Sequence, residues 1–357
     1  MAQRSGLGRG VALRGTVWPG GEALPMPDSV VVVAPDGKVA AIGPAAQIAL
    51  PEGVRLIGGT ERWVGPGIVD AHVHLAFAER DDEWSRGVVA VRDLGAPPAH
   101  CQAWRAASPP PQVVTAGQLL TAPGGYPSRT WGAGGFTTFI DSPLQAQAVV
   151  RAAVADGVDL VKLALEPADD QPVPSLDVCR TVVIAAHDHG LPVTAHALTA
   201  AMVQRALDAG VDELCHVPVE PLSPDLVGQI AMTGMTVVST IETLCSGGDE
   251  GAARNGAKLV AAGVPLAYGT DLGNVGTRPG IDIRELRRLE ATGLGRPGAL
   301  KAATAGASDV VGMRGGSGHL VVGTPAAAIV LAADPLGDLA AFEHIVAVVS
   351  DGVVLAA

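Results

Sequence analysis

Eight short apolar runs, each followed by a stretch of helical character, fill the middle of the chain and limit its fold more than any other feature. The runs are Gly67–His72, Val88–Leu94, Gln112–Thr115, Val158–Leu163, Pro192–His196, Glu213–His216, Thr236–Ser239 and Pro265–Thr270. Alternation of strands with helices predicts parallel βαβ units, and eight of them predict an α/β chain folded as a (β/α)8 TIM barrel. Between the third and fourth runs, residues 120–140 carry the Gly-rich stretch A-P-G-G-Y-P-S-R-T-W-G-A-G-G, which reads as a long rim loop. Only residues 75–86 hold loop and helix after the first run. The two ends differ from the middle. Val30–Ala34, the turn Pro35-Asp36-Gly37 and Lys38–Gly43 read as strand, turn, strand, and the segment after His319 reads the same way.

Charge and cysteine usage narrow the function classes. Lys plus Arg is 24 against 36 Asp plus Glu, a net charge of −12. Such a chain lacks the clustered cations that nucleic-acid phosphates require, so no nucleic-acid partner is expected. With 48% apolar and 17% charged residues it is no disordered chain. No apolar run reaches the roughly 18 residues of a membrane span, and the start, M-A-Q-R-S-G-L-G-R-G, has no apolar signal core. Cys101, Cys179, Cys215 and Cys245 are widely spaced and form no C-x-x-C pair. Reduced thiols in a cytoplasmic protein with no membrane partner are therefore expected.

The strongest local motif is Asp70-Ala71-His72-Val73-His74. Side chains alternate along a strand, so both imidazoles face one way and can share a metal ion. The pattern recurs: Lys162 ends V-D-L-V-K, His196 ends P-V-T-A-H, His216 ends E-L-C-H and Asp271 ends P-L-A-Y-G-T-D. The carboxyl ends of barrel strands are where this architecture builds active sites. Lys162 is the most informative. The chain has only four lysines, and one of them lies within a Val/Leu strand where an ammonium is costly unless paired or neutralised.

These residues resemble the amidohydrolase superfamily, and its imidazolonepropionase-like and Xaa-Pro dipeptidase-like branch in particular. The resemblance rests on P-G-I-V-D-A-H-V-H-L at 66–75, V-A-V-R-D-L-G at 89–95, V-D-L-V-K-L at 158–163, V-T-A-H-A at 193–197, E-L-C-H at 213–216 and Y-G-T-D at 268–271. It implies a catalytic barrel over residues 64–318 and a small β-sandwich built from residues 1–63 and 319–357. It also implies two divalent metal ions, usually zinc. His72, His74 and Asp271 would hold one, His196 and His216 the other, and N-carboxylated Lys162 would bridge them. The implied reaction is hydrolysis of a C–N bond by a metal-bridging hydroxide, with Asp271 as the catalytic acid–base. N-acyl amino acids, dipeptides and lactam or imidazolone rings are the implied substrates, and homo-oligomers are common among relatives. Where relatives often carry G-G-H, this chain has Gly124-Gly125-Tyr126, so contacts made by that histidine do not carry over.

Few aromatics are present, yet Phe77, Trp84, Tyr126, Trp131, Phe136 and Phe139 all follow the first or third run, near the expected mouth. Tyr126 and Trp131 are candidates to line a small-molecule pocket. Arg129 and Arg278 are candidates to pair a substrate carboxylate. His187 and His189 mimic the H-x-H motif but sit at a helix end, where a solvent-facing role is expected. Three other readings use the same residues: a mononuclear heterocycle deaminase, a lactone or phosphotriester hydrolase, and a non-enzymatic scaffold. Lys162 argues against the deaminase, and the intact ligand set argues against the scaffold.

Overall fold

The computed structural model describes residues 3–78, 84, 86–107, 111–167, 170–312 and 318–356. Half of the short segment after the first run, residues 79–83 and 85, lies outside them.

The N-terminal strands are β1 (Gln3–Gly6), β2 (Val11–Val17), β3 (Met26–Val33), β4 (Val39–Pro44) and β5 (Arg55–Pro66). The central strands are β6 (Ile68–Val73), β7 (Val88–Asp93), β8 (Gln112–Thr115), β9 (Leu119–Thr121), β10 (Thr137–Phe139), β11 (Val161–Leu165), β12 (Val193–Ala197), β13 (Glu213–Leu214), β14 (Thr236–Val238) and β15 (Leu266–Ala267). The C-terminal strands are β16 (Ala328–Leu331), β17 (Ile345–Ser350) and β18 (Val353–Ala356). Helices α1 (Pro98–Ala106), α2 (Pro143–Ala155), α3 (Leu176–His187), α4 (Ala200–Ala209), α5 (Pro224–Thr233), α6 (Ile241–Cys245), α7 (Gly251–Ala261) and α8 (Ile283–Leu289) alternate with the central strands. Their starts follow local chemistry. Ser142, Ser175, Thr199 and Ser223 each accept a backbone N–H of the first turn, and Pro143 and Pro224 open α2 and α5.

All eight expected strands are present and parallel, but their ladders do not run as one ring. β6–β7–β8 form a three-stranded sheet, while β10–β9–β11–β12–β13–β14–β15 form a seven-stranded one. β6 shifts register against β7 twice, and β13 and β15 are only two residues long. Single hydrogen bonds still link the two sheets. On one side Ala71 N–H donates to Tyr268 O (3.1 Å), Asp271 N–H to His72 O (2.8 Å) and His74 N–H to Leu272 O (2.7 Å). On the other, Asp159 N–H donates to Thr115 O (2.9 Å). The Gly-rich stretch is also more than a loop: β9 and β10 pair in parallel around it and join the edge of β11.

The strands of the two chain ends, which the resemblance assigns to a small β-sandwich, form a single eight-stranded sheet of order β1-β18-β17-β16-β5-β2-β3-β4. One apolar cluster, including Leu13, Val31, Val64, Val330 and Val349, fills its inner side. A larger core joins Val69, Val89, Leu163, Val193 and Leu214 to the helices, and it takes in Trp18 and Trp63 from the terminal sheet.

Candidate metal centre and cavity

The strand ends bring the expected ligand residues together. His72 and His74 leave the end of β6 on one face, with ring centroids 5.3 Å apart. The His216 ring stands 4.5 Å from His72 and 4.7 Å from His196. Lys162 points inward from β11, 1% exposed, with Nζ 3.3 Å from His72 Nε2. Asp271 has φ +56, a backbone conformation rare for a residue with a Cβ, and its carboxylate lies against the histidines. Asp271 Oδ1 is 3.2 Å from His72 Nε2 and 3.5 Å from His74 Nε2.

Electrostatics favour neutral imidazoles. Burial, followed by the charge of Lys162, pushes His72 and His74 well below their ordinary range. Burial and then His196 do the same to His216. Burial lowers His196, while Glu166, with Oε2 3.2 Å from its Nε2, works the other way. Neutral imidazole is the form that binds a metal.

The donor set can be tested for a cation. His72 Nδ1 lies 2.8 Å from the Cys215 carbonyl, which can only accept, so Nδ1 carries the proton and Nε2 the lone pair. That lone pair faces Asp271 Oδ1, a buried oxygen with no hydrogen-bond partner. Two acceptors in close contact, with the Lys162 ammonium 3.3 Å from Nε2, fit a shared divalent cation. One ligand atom each from His72, His74 and Asp271 lies within 4.8 Å of the others. A second group of the same compactness joins His72 and His216 to Cys215 rather than to His196. Burial pushes the Cys215 thiol up to about 11, which keeps it protonated and a poor ligand.

Several supporting residues escaped the sequence reading. Asp70 lies beneath the histidine pair: Oδ1 accepts N–H groups of His72 and Thr270 (both 3.1 Å), and Oδ2 accepts the Thr270 hydroxyl (2.6 Å). Thr240 is held at φ +46, with Oγ1 2.9 Å from His216 Nδ1. Asp93 accepts the N–H of Leu75 (2.7 Å) and Gly95 (3.1 Å), fixing the turn after β6. The only sequence signal for Glu166 is its place at the end of L-A-L-E, just past β11.

A cavity of about 330 Å³ opens above this cluster. His74, Lys162, His196, His216 and Asp271 line it together with Phe77, Leu119, Tyr126, Trp131, Leu198, Thr243, Leu244, Asn274 and Val275. Tyr126 and Trp131 are therefore where the sequence placed them. The Tyr126 ring rests 5.0 Å from His196, and Trp131 stands edge-on to His74 at 4.9 Å. Arg129 and Arg278 are not in the lining, and both are exposed. Of the other aromatics, Phe77 lines the cavity and Phe136 stacks behind it at 5.4 Å, whereas Phe139 is exposed. Trp84 is fully buried away from the lining, under the Arg4 guanidinium. His187 is exposed, as expected for a helix end, and pairs with Asp212 at 2.8 Å.

The model of the Amidohydrolase family matches residues 63–355. An uncharacterized protein of Mycobacterium tuberculosis is 27% identical over 199 residues, 51% of this chain and 51% of its own length. The chain thus spans about half the length of the curated relatives it matches. A Xaa-Pro dipeptidase solved with methionine in its active site superposes with a TM-score of 0.83 at 20% identity, over 98% of this chain and 100% of its own. The ochratoxinase of A. niger superposes with a TM-score of 0.81 at 20% identity, over 98% of this chain and 95% of its own. At that identity the likeness is one of fold. No helix among the described residues is long and apolar enough to cross a membrane.

Proposed function

The chain belongs to the amidohydrolase family, and on that premise we propose that it is a metal-dependent hydrolase cleaving an amide or cyclic-amide C–N bond of a small molecule. The observation that carries this reading is the contact between the His72 Nε2 lone pair and the partnerless Asp271 Oδ1 at 3.2 Å. His72, His74 and Asp271 would hold one divalent cation, zinc by donor type, and His196 and His216 a second. Lys162, carboxylated, would be an anionic oxygen donor between them. Bound cations supply positive charge that lowers the pKa of a water and polarises a carbonyl.

The protein's own groups complete the chemistry. Asp271 lines the cavity, so its carboxylate can take a proton from the attacking water and pass it to the leaving nitrogen. Asp70 and Thr240 hold the imidazole-bearing backbone and the His216 ring in place. Tyr126 and Trp131 form a wall that orients the substrate and excludes water. We read the two parallel sheets, with the hydrogen bonds that link them, as one closed (β/α)8 barrel over residues 64–318. The terminal strands would then be a sandwich curled around its own core. Lys162 inside the cluster favours this reading over a mononuclear deaminase.

Metal analysis of the purified protein, paired with amine release from a panel of amides, tests the proposal. A transition metal should co-purify, a chelator should abolish turnover, and Lys162→Ala should lower kcat/KM by about 100-fold or more. A metal-free preparation whose activity survives Lys162→Ala overturns it.

A further inference from the structure

We propose that the cavity selects an uncharged substrate, an aryl amide, carbamate or urea, rather than one bearing a carboxylate such as an N-acyl amino acid or dipeptide. This rests on the hydrolase reading above and narrows it.

Among the described residues lining the cavity, Lys162 is the only Lys or Arg, and the hydrolase reading commits it to the metal centre as an anion. Both arginines that the sequence offered as carboxylate partners, Arg129 and Arg278, lie outside the lining and are exposed. A substrate arm reaching away from the reacting carbonyl would instead lie along Phe77, Trp131, Leu198 and Leu244. Among the described residues, a carboxylate on that arm would lose its water and meet no free cationic side chain, which is costly. Glu166, hydrogen-bonded to His196, would repel it.

The polar groups that remain suit a neutral acceptor. The Thr243 hydroxyl donates to Thr270 O (2.7 Å), and Asn274 Nδ2 donates to Asp271 O (3.0 Å). Trp131 Nε1 donates to the Tyr126 hydroxyl (3.3 Å), which leaves Tyr126 its own proton to give. Tyr126 is thus a neutral donor beside an aromatic wall, where Trp131 stands edge-on to Phe77 at 6.0 Å. A volume of about 330 Å³ accommodates one aryl group and its amide. In the reaction, water adds to the carbonyl carbon, the C–N bond breaks, and the amine leaves with a proton from that water.

Two probes that differ only in a distal charge test the inference on the purified holoenzyme: N-benzoylglycinamide and N-benzoylglycine. Binding is read by titration calorimetry and turnover by amine release. The glycinamide should bind at least about tenfold more tightly. Tyr126→Phe should weaken its binding by about fivefold to tenfold. Equal or tighter binding of N-benzoylglycine, or binding of neither probe, overturns the substrate class even if other amides are hydrolysed. Unchanged glycinamide binding in Tyr126→Phe removes the neutral-donor argument and overturns it likewise. A preference for the glycinamide with no amine released from any amide upholds the substrate class and overturns the hydrolase reading instead.

Discussion

Glu285 shows how one buried acid reaches the site without touching it. Its carboxylate accepts the N–H groups of Ile241 (3.1 Å) and Glu242 (2.6 Å), which start α6, and the residue just before α6 is Thr240, the partner of His216. Burial pushes the Glu285 carboxyl up to about 7 against an ordinary 4.5. The like charge of Asp282 adds to this, and hydrogen bonds from Ser239, Glu242 and Ile241 oppose it. The buried Tyr268 also feels this charge. Between those two values the folded state holds more of the proton than the unfolded chain. The stability contributed by Glu285 therefore falls as pH rises through that window and is constant above it. Glu285→Gln cannot titrate. The stability gap between wild type and Glu285→Gln, measured by urea unfolding, should be largest below about pH 4.5 and smaller by roughly 3 kcal/mol at pH 8. A gap that does not change with pH would refute the assignment.

At the level of elements, an ion pair ties the two parallel sheets together. Arg92 on β7 meets Glu213 on β13 through two hydrogen bonds of 2.6 and 3.0 Å. Thr194 on β12 donates to the same carboxylate (2.7 Å), and Arg92 Nε donates to Ala71 O on β6 (2.8 Å). Both charges are buried. Such a pair adds little over apolar packing, but breaking it strands a charge. Glu213→Leu alone should lower stability by about 3–5 kcal/mol, and Arg92→Met with Glu213→Leu should recover most of that loss. Denaturant midpoints of the three variants check the cycle; an additive double variant would show that the pair is not coupled. This pair also marks where sequence reading stops. The histidines, Lys162 and Asp271 were legible because each ends an apolar run, and strand periodicity dictates where the end of a run points. Arg92 with Glu213 and Asp70 with Thr270 were not, because their partners lie 121 and 200 residues away and no local pattern joins them. Arg129 and Arg278, offered as carboxylate partners, lie outside the cavity lining, and loop sequence does not encode which way a long side chain turns. β9 and β10, three residues each, are too short to show a period.

For the whole molecule, strand-rich ends and a βαβ middle were readable from patterning, whereas the way the terminal sheet packs on the middle was not, since it depends on side chains meeting across the fold. Gly87, just before β7, is one such meeting point. It has φ +92, a conformation that disfavours any residue with a Cβ, and its N–H donates to Trp84 O (3.0 Å). A Cβ there would stand 2.7 Å from Ile329 Cδ1 on β16, 2.8 Å from Ile281 Cδ1 and 3.0 Å from Ile345 Cδ1 on β17. Gly87→Ala therefore combines backbone strain with overpacking between the terminal sheet and β7, at a cost of about 2–4 kcal/mol. Because Trp18 and Trp63 of the terminal sheet share the larger core with β6, β7 and β11, that cost should fall on the molecule as a whole. Native-state hydrogen exchange can resolve this. Amides of β2 and β3 and those of β11 and β12 should lose protection by the same free energy in Gly87→Ala. Loss of protection confined to β16 and β17 would instead show that the terminal sheet opens on its own, and that its shared core with the site-bearing strands adds nothing to their stability.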